Sequence, residues 1–114
     1  MSPAVVDAAL GALAEPTRRA VVELLRRRPH RAGELAEALE MSPPALSRHL
    51  RILRKSGLVA DDEPEDDARV RLYRLRPEGF EALDGWVDSI RSLWTEQLES
   101  FKAHAERRAL NRSG

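Results

Sequence analysis

The sequence predicts a mainly helical fold with a small β-hairpin inserted between the fourth and fifth helices. Apolar residues recur at helical spacing through most of the first 57 residues, and again from residue 77 onward. Between these stretches, residues alternate between apolar and polar types, as in a half-buried strand. The length of 114 residues, with 42% hydrophobic and 33% charged residues, fits one domain with a charge-rich surface.

We divide the single predicted domain, residues 1–114, into consecutive parts by these changes of pattern. The parts are an N-terminal helix (1–13), a helical core (15–57), a hairpin (58–76), a long helix (77–108) and a flexible tail (109–114).

The first two helices are predicted from their apolar stripes and their boundaries. The helix over Pro3–Leu13 is amphipathic, and Glu15 with Pro16 opens the second helix. The second helix ends in three arginines before Pro29, so cations lie at the negative end of its dipole. The predicted apolar residues are Val5, Val6, Ala9, Leu10 and Leu13 in the first helix, and Val21, Val22, Leu24 and Leu25 in the second.

The third and fourth helices form a helix-turn-helix pattern. The third covers Gly33–Leu39 with Leu35, Ala36 and Leu39 facing inward, and Glu40-Met41 makes the short turn. In the fourth, residues 42–56, Ser42 is a good N-cap, Pro43 suits the first helical position and Gly57 suits the C-terminal cap. Its inward residues are Leu46, Leu50 and Leu53.

The opposite side of the fourth helix is cationic. No acid occurs from Ser42 to Gly57, and residues 15–57 contain ten Lys or Arg against five Asp or Glu, although the net charge is zero. Such a surface suits the major groove of DNA, while an ordinary solvated helix is the alternative. The outward residues are Pro44, Ser47, Arg48, Arg51 and Lys55.

The chain resembles ArsR/SmtB-type winged helix-turn-helix repressors in several motifs. The run SPPALSRHLRILRKSGLV (42–59) resembles their recognition helix, and LAEPTRRAVVELL (13–25) resembles the opening of their second helix. The segment VRLYRLRPEG (70–79) resembles the exit from their wing, and the tryptophans of the last helix resemble a Trp-rich subgroup that does not sense metals. The resemblance implies the order α1-α2-α3-α4-β-β-α5 and dimers formed through the terminal helices.

The hairpin, with strands over Leu58–Asp61 and Val70–Leu75, departs from the basic or glycine-rich wing tip of many relatives. Its tip carries the acids Glu63, Glu65, Asp66 and Asp67, which phosphate would repel. A calcium-loop interpretation fails because the alternating acids and central glycine of an EF-hand are missing. Within the wing, only Arg69 and Arg71 at its base remain expected DNA-backbone contacts.

The resemblance assigns the DNA contacts residue by residue. Arg48 is expected to bind guanine through two hydrogen bonds, and Ser47 and the prolines to meet base edges. The remaining cations are expected to contact the backbone, and His49 to be packed or to contact phosphate. The predicted DNA-binding residues are Ser42, Pro43, Pro44, Ser47, Arg48, His49, Arg51, Arg54, Lys55, Arg69 and Arg71.

The last helix carries an apolar seam with spacings of three and four residues, longer than one compact domain of this size needs. We expect part of this seam to bind a second copy of the chain. The predicted dimer-interface residues are Val6, Leu10, Leu83, Trp86, Val87, Ile90, Leu93, Trp94, Leu98 and Phe101.

Metal binding and catalysis are not expected. The chain has no cysteine, and Ala36 and Ala38 lie where metal-sensing relatives place cysteines. Asp84, Asp88 and His104 form no paired ligand cluster, and no nucleophile or phosphate-loop motif occurs. No long apolar run or leader is present, so we expect a cytoplasmic protein with no membrane partner, no cofactor and no enzymatic activity.

The predicted function is a sequence-specific DNA-binding transcriptional regulator, a homodimeric repressor of a palindromic operator. Two alternatives stay open. One is a protein-interaction module that uses the acidic wing, and the other is a regulator with an apolar small-molecule effector near Trp86 and Trp94.

Overall fold

The computed structural model describes residues 3–62 and 71–113 of the chain. It confirms the mainly helical fold with a small antiparallel sheet, and the predicted helices all occur. The elements in chain order are α1 (Pro3–Leu13), α2 (Pro16–Arg27), β1 (His30–Arg31), α3 (Ala32–Ala38), α4 (Pro43–Lys55), β2 (Val59–Asp62), β3 (Leu72–Leu75) and α5 (Pro77–Ser113).

The core lies where α1, α2, α3, α4 and β2 meet. The apolar stripes predicted for α3 and α4 face it, and Leu39 packs at its margin. Burying each such aliphatic side chain contributes about 1.5–3 kcal/mol, so this cluster fixes the orientation of α4. The largest fully buried side chains are Val21, Leu35, Leu46, Leu53, Leu58 and Val59.

The sheet has the strand order β1-β3-β2, and both pairings are antiparallel. His30 in β1 pairs with Tyr73 and is 8% exposed. Its ring Nδ1 lies 2.8 Å from the carbonyl oxygen of Arg28. A two-residue strand is too short to produce a periodic pattern, which is why the sequence did not reveal it.

The hairpin strands are close to those predicted, with β2 displaced by one residue. Tyr73 and Leu75 pack against the core, while Leu72 and Arg74 are exposed. The predicted beginning of the second strand, Val70, and the acidic wing tip lie outside the described residues.

Helix α5 continues to Ser113, beyond the end predicted for it at residue 108. Neither proline nor glycine occurs between Trp86 and Ser113, and nothing in the sequence therefore stops the helix. The chain divides into two compact units, one ending at Leu83 and the other beginning at Asp84. Within the first unit, Phe80 and Leu83 pack against the core.

Candidate nucleic-acid interface

The start of α4 is fixed by the turn before it. Glu40 adopts a positive φ of 52°, and Ser42 is the N-cap, its hydroxyl accepting a hydrogen bond from the Ala45 amide at 3.4 Å. Pro43 occupies the first helical position, where its missing amide hydrogen has no helical partner to lose. The helix therefore begins where the sequence predicts.

The end of α4 is equally defined. The buried Ser56 hydroxyl donates to the Leu53 carbonyl at 2.8 Å, and Gly57 adopts a φ of 81°. The Leu58 amide then donates to the Leu53 carbonyl at 3.2 Å. This termination leads the chain directly from the helix into β2.

The outward side of α4 is the one the sequence predicts. Pro44, Ser47, Arg48, Arg51 and Lys55 are all exposed, whereas the three leucines on the other side are buried. Within the described ranges, no carboxylate forms an ion pair with the three cations of this set. We call these five residues the outer face of α4, and it offers positive charge and hydrogen-bond donors to an anionic partner.

His49 does not belong to the outer face. Its side chain is 23% exposed, and its Nδ1 lies 3.6 Å from the Glu15 carboxylate and 3.4 Å from an Arg18 Nη1. Arg18 also donates from Nε to the Ala12 carbonyl at 2.6 Å. His49 thus connects α4 with the end of α1 and the start of α2, a role consistent with the packed alternative.

Glu15 is held ionised at this junction. Partial burial raises the pKa of its carboxyl, but hydrogen bonds from the Arg18 and Thr17 amides and the Thr17 hydroxyl, together with His49, lower it overall. The Arg18 amide donates a hydrogen bond of 2.9 Å to the Glu15 carboxylate, which makes Glu15 the N-cap of α2. Sequence reasoning missed Arg18 as the link to α4, although it lies in the motif that resembles the family.

Two of the arginines predicted to contact the DNA backbone, Arg54 of α4 and Arg71 at the base of the wing, already have a protein partner. Arg54 and Arg71 approach the same carboxylate oxygen of Asp61, at 3.3 and 3.2 Å. Arg74 binds Asp62 beside them at 3.0 Å. Arg69 lies outside the described residues. The acids of β2 escaped sequence reasoning because their partners lie in other elements.

The predicted dimer-interface residues fall into two groups. Val6 is 5% exposed within the single chain, and Leu83 is partly buried against the core. A helical period cannot distinguish such core packing from an interface, and the interface itself stays a prediction. The exposed members are Leu10, Trp86, Val87, Ile90, Leu93, Trp94, Leu98 and Phe101.

Two further classes of site, a metal centre and a membrane span, are absent from residues 3–62 and 71–113. No group of three His, Asp or Glu side chains there is placed to hold a metal ion. No helix there is long and apolar enough to cross a membrane.

The fold is that of a winged helix-turn-helix DNA-binding protein. It combines a short α3, a tight turn, a helix with a cationic outer face and an antiparallel hairpin. Residues 15–61 match the family model described as "Bacterial regulatory protein, arsR family". The chain belongs to the ArsR family and is a DNA-binding transcriptional regulator.

Several known proteins are similar to this chain. The HTH-type transcriptional regulator Rv2034 of Mycobacterium tuberculosis is 43% identical over 95 residues, which cover 83% of each chain. The repressor SmtB of the same species is 42% identical over 74 residues, 62% of this chain and 53% of the relative. Among solved structures, an ArsR family transcriptional regulator shares 33% identity with a TM-score of 0.73, covering 82% of this chain and 94% of that one. An ArsR-like regulator from Rhodococcus sp. RHA1 shares 26% identity with a TM-score of 0.76, covering 90% and 92%.

Proposed function

We propose that this regulator is a homodimeric repressor that inserts α4 into the major groove of a twofold-symmetric operator. The observation that carries the proposal is the outer face of α4, where Arg48, Arg51 and Lys55 are exposed and unpaired within the described residues. An α-helix fits the major groove, and cations on its outer side neutralise phosphates. We further propose that the protein acts by binding alone, in the cytoplasm, without catalysis, metal or cofactor.

The position of each residue on α4 suggests its role. Arg48 and Ser47 lie on the exposed side of the helix in its first half, and the N-terminal half of a recognition helix is the part that reaches base edges. Pro43 and Pro44 offer apolar contacts to thymine methyl groups, and Ser42 lies at the phosphate-facing helix start. Arg51 and Lys55 follow one and two turns later and contact the backbone.

Fluorescence anisotropy with duplex DNA from upstream of the gene tests this assignment. Arg48→Ala should weaken binding to the operator by about 1–3 kcal/mol and relax its specificity. The control is Arg26→Ala, which removes the same charge from an exposed pair with Glu23 on α2. If the affinities of the Arg48 variant for the operator and for a scrambled duplex were both unchanged from those of wild type, the role of Arg48 would be refuted. A wild-type protein that binds neither duplex at low salt would refute the proposed function and favour the interaction-module alternative.

The exposed apolar side of α5 supports the homodimer. Trp94 is 60% exposed, Leu98 61% and Phe101 73%, and they recur on one side of the helix. Monomeric proteins rarely leave several large apolar side chains exposed in one stripe, because burying each contributes about 1.5–3 kcal/mol. A second copy of the same helix offers a matching stripe, and a symmetric pair matches a twofold-symmetric operator.

Sedimentation equilibrium tests the dimer with a pair of matched variants. Trp94→Glu places a charge in the stripe and should yield monomers at micromolar concentration. Ser92→Glu adds the same charge on the opposite side of α5 and should leave the dimer intact. Wild-type monomers, or equal dissociation of both variants, would contradict the assignment of the stripe to the interface.

The assignment as a repressor draws on relatives named as repressors, SdpR of Bacillus subtilis and SmtB of Mycobacterium tuberculosis. A reporter fused to the adjoining promoter should become more active when the gene is deleted. A fall in reporter activity would identify an activator instead.

A further inference from the structure

The side chain of Asp61 contacts Arg54 and Arg71, two of the cations predicted to contact the DNA backbone. Asp61 is the third residue of β2, and its side chain is 21% exposed. One of its oxygens, Oδ2, lies 3.3 Å from Nη1 of Arg54 in the last turn of α4. The same oxygen accepts a hydrogen bond of 3.2 Å from Nη1 of Arg71, just before β3. One carboxylate therefore joins cations from the recognition helix and from the wing.

This arrangement distinguishes Arg54 from the other cations of α4. Arg54 has 37% of its side chain exposed and a carboxylate partner, whereas Arg51 and Lys55 are exposed and have no such partner among the described residues. Asp62 adds a second, more exposed acid beside Asp61 and binds Arg74. Among the described residues, these two acids thus offset most of the charge of the three arginines, while the outer face of α4 keeps its positive charge.

A phosphate oxygen and the Asp61 carboxylate are alternative acceptors for the same guanidinium groups. An arginine that contacts a phosphate here must either break its ion pair with Asp61 or divide its N–H donors between Asp61 and the phosphate. The Asp61 carboxylate then lies near the anionic DNA backbone, which repels it. This penalty applies to every DNA sequence, because phosphate contacts carry no sequence information. Base contacts made by the outer face of α4 are not affected in this way.

From this geometry we infer that Asp61 is a positioning residue that sets the specificity of the regulator. It holds Arg54 and Arg71 away from phosphate and so lowers the affinity for DNA of arbitrary sequence. The inference rests on the proposed binding of α4 to DNA.

The test is Asp61→Asn, which keeps the shape of the side chain and removes its charge. Its affinity for a random-sequence duplex is measured by anisotropy at several salt concentrations. One or two additional phosphate contacts steepen the salt dependence of log K by about 0.9–1.8. At 0.15 M salt this corresponds to random-duplex binding about 5–30-fold tighter than wild type, with a smaller gain for the operator.

A charge-matched control and a background variant separate positioning from simple loss of an acid. Glu23→Gln removes one exposed acid of α2 and should leave the salt dependence nearly unchanged. In an Arg54→Ala/Arg71→Ala background, Asp61→Asn should have no effect on that dependence. An equal gain in this background would overturn the inference, because the arginines would then not carry the effect.

A second measurement does not require the Asp61 variant to fold. In the wild-type background, Arg51→Ala should flatten the salt dependence by about 0.9, whereas Arg54→Ala should change it much less. Equal effects of the two substitutions would overturn the inference while leaving the proposed function intact. If the wild-type protein bound no DNA at any salt concentration, the proposed function and this inference would both be overturned.

Discussion

Gly79 provides the most direct test of how the first turn of α5 packs against the end of α4. A Cβ atom added to Gly79 would meet the carbonyl oxygen of Gly57, and would lie 2.8 Å from the Gly57 carbonyl carbon and 3.1 Å from a Leu58 methyl group. Ordinary carbon contacts are about 3.5–4.0 Å, so a methyl group requires a displacement of roughly 1 Å. We therefore expect Gly79→Ala to be destabilising.

The backbone that Gly79 touches has little freedom to move. Gly57 ends α4 at a positive φ, and the Leu58 carbonyl accepts a hydrogen bond of 2.8 Å from the Arg76 amide. Overpacking of this kind costs about 1–3 kcal/mol, and replacing a helical glycine by alanine returns up to about 1 kcal/mol. The expected net loss is about 1–2 kcal/mol, or a thermal midpoint lower by roughly 4–12 °C.

Urea unfolding followed by circular dichroism, at one fixed protein concentration, measures this loss. The concentration is fixed because the proposed dimer would make the measured stability depend on it. Gly33→Ala is the matched control, since that glycine is exposed in α3 and an added Cβ meets nothing within 4 Å. Gly33→Ala should be neutral or stabilising by up to about 1 kcal/mol. A Gly79→Ala protein as stable as Gly33→Ala would refute the close approach of α5 to the end of α4.

Two other predictions concern the start of α3 and the end of α4. Hydrogen bonds from the Arg31 amide and the Arg28 guanidinium lower the pKa of Glu34 in the folded protein. The ionised carboxylate therefore stabilises the fold above the pKa that Glu34 has in the unfolded chain. This stabilisation is lost as pH falls through the lower pKa of the folded protein. The thermal midpoint of Glu34→Gln should lie below that of wild type at pH 7 and approach it below about pH 4, and a constant difference across pH would exclude the ionic contribution. Gly57→Ala should cost about 1–2 kcal/mol in urea unfolding, because the φ of 81° strains a residue with a Cβ although the space is open. Unchanged stability would show that this glycine is not needed for the turn.

The sequence predicted those parts of the fold that depend only on residues close together in the chain. Leu46, Leu50 and Leu53 share one side of a helix, so any core beneath α4 buries all three. The start of α4 at Ser42-Pro43 was predictable for a similar reason, since capping depends on residues within one turn.

Pairings between distant residues could not be predicted in this way. His30 pairs with Tyr73, and a strand of two residues leaves no local signal of that partner. The sequence predicted Asp61 at the end of a strand but not its partners, which come from α4 and from the residue before β3. The seam of α5 was correct as a pattern, although periodicity alone did not separate Leu83, which packs on the core, from Phe101, which is exposed.

The division of cations between paired and unpaired sites explains how a chain of zero net charge can serve as a DNA-binding regulator. Among the described residues, the cations on the outer face of α4 have no ion-pair partner, whereas Arg54, Arg71 and Arg74 pair with the two acids of β2. Within the helix-turn-helix and the wing, this leaves attraction to phosphate on the helix that we propose contacts the bases. Binding that relies on few phosphate contacts is weak on arbitrary DNA and gains most from correct base contacts. The acids at the base of the wing thus favour selectivity over raw affinity, which is the property that a regulator searching a genome requires.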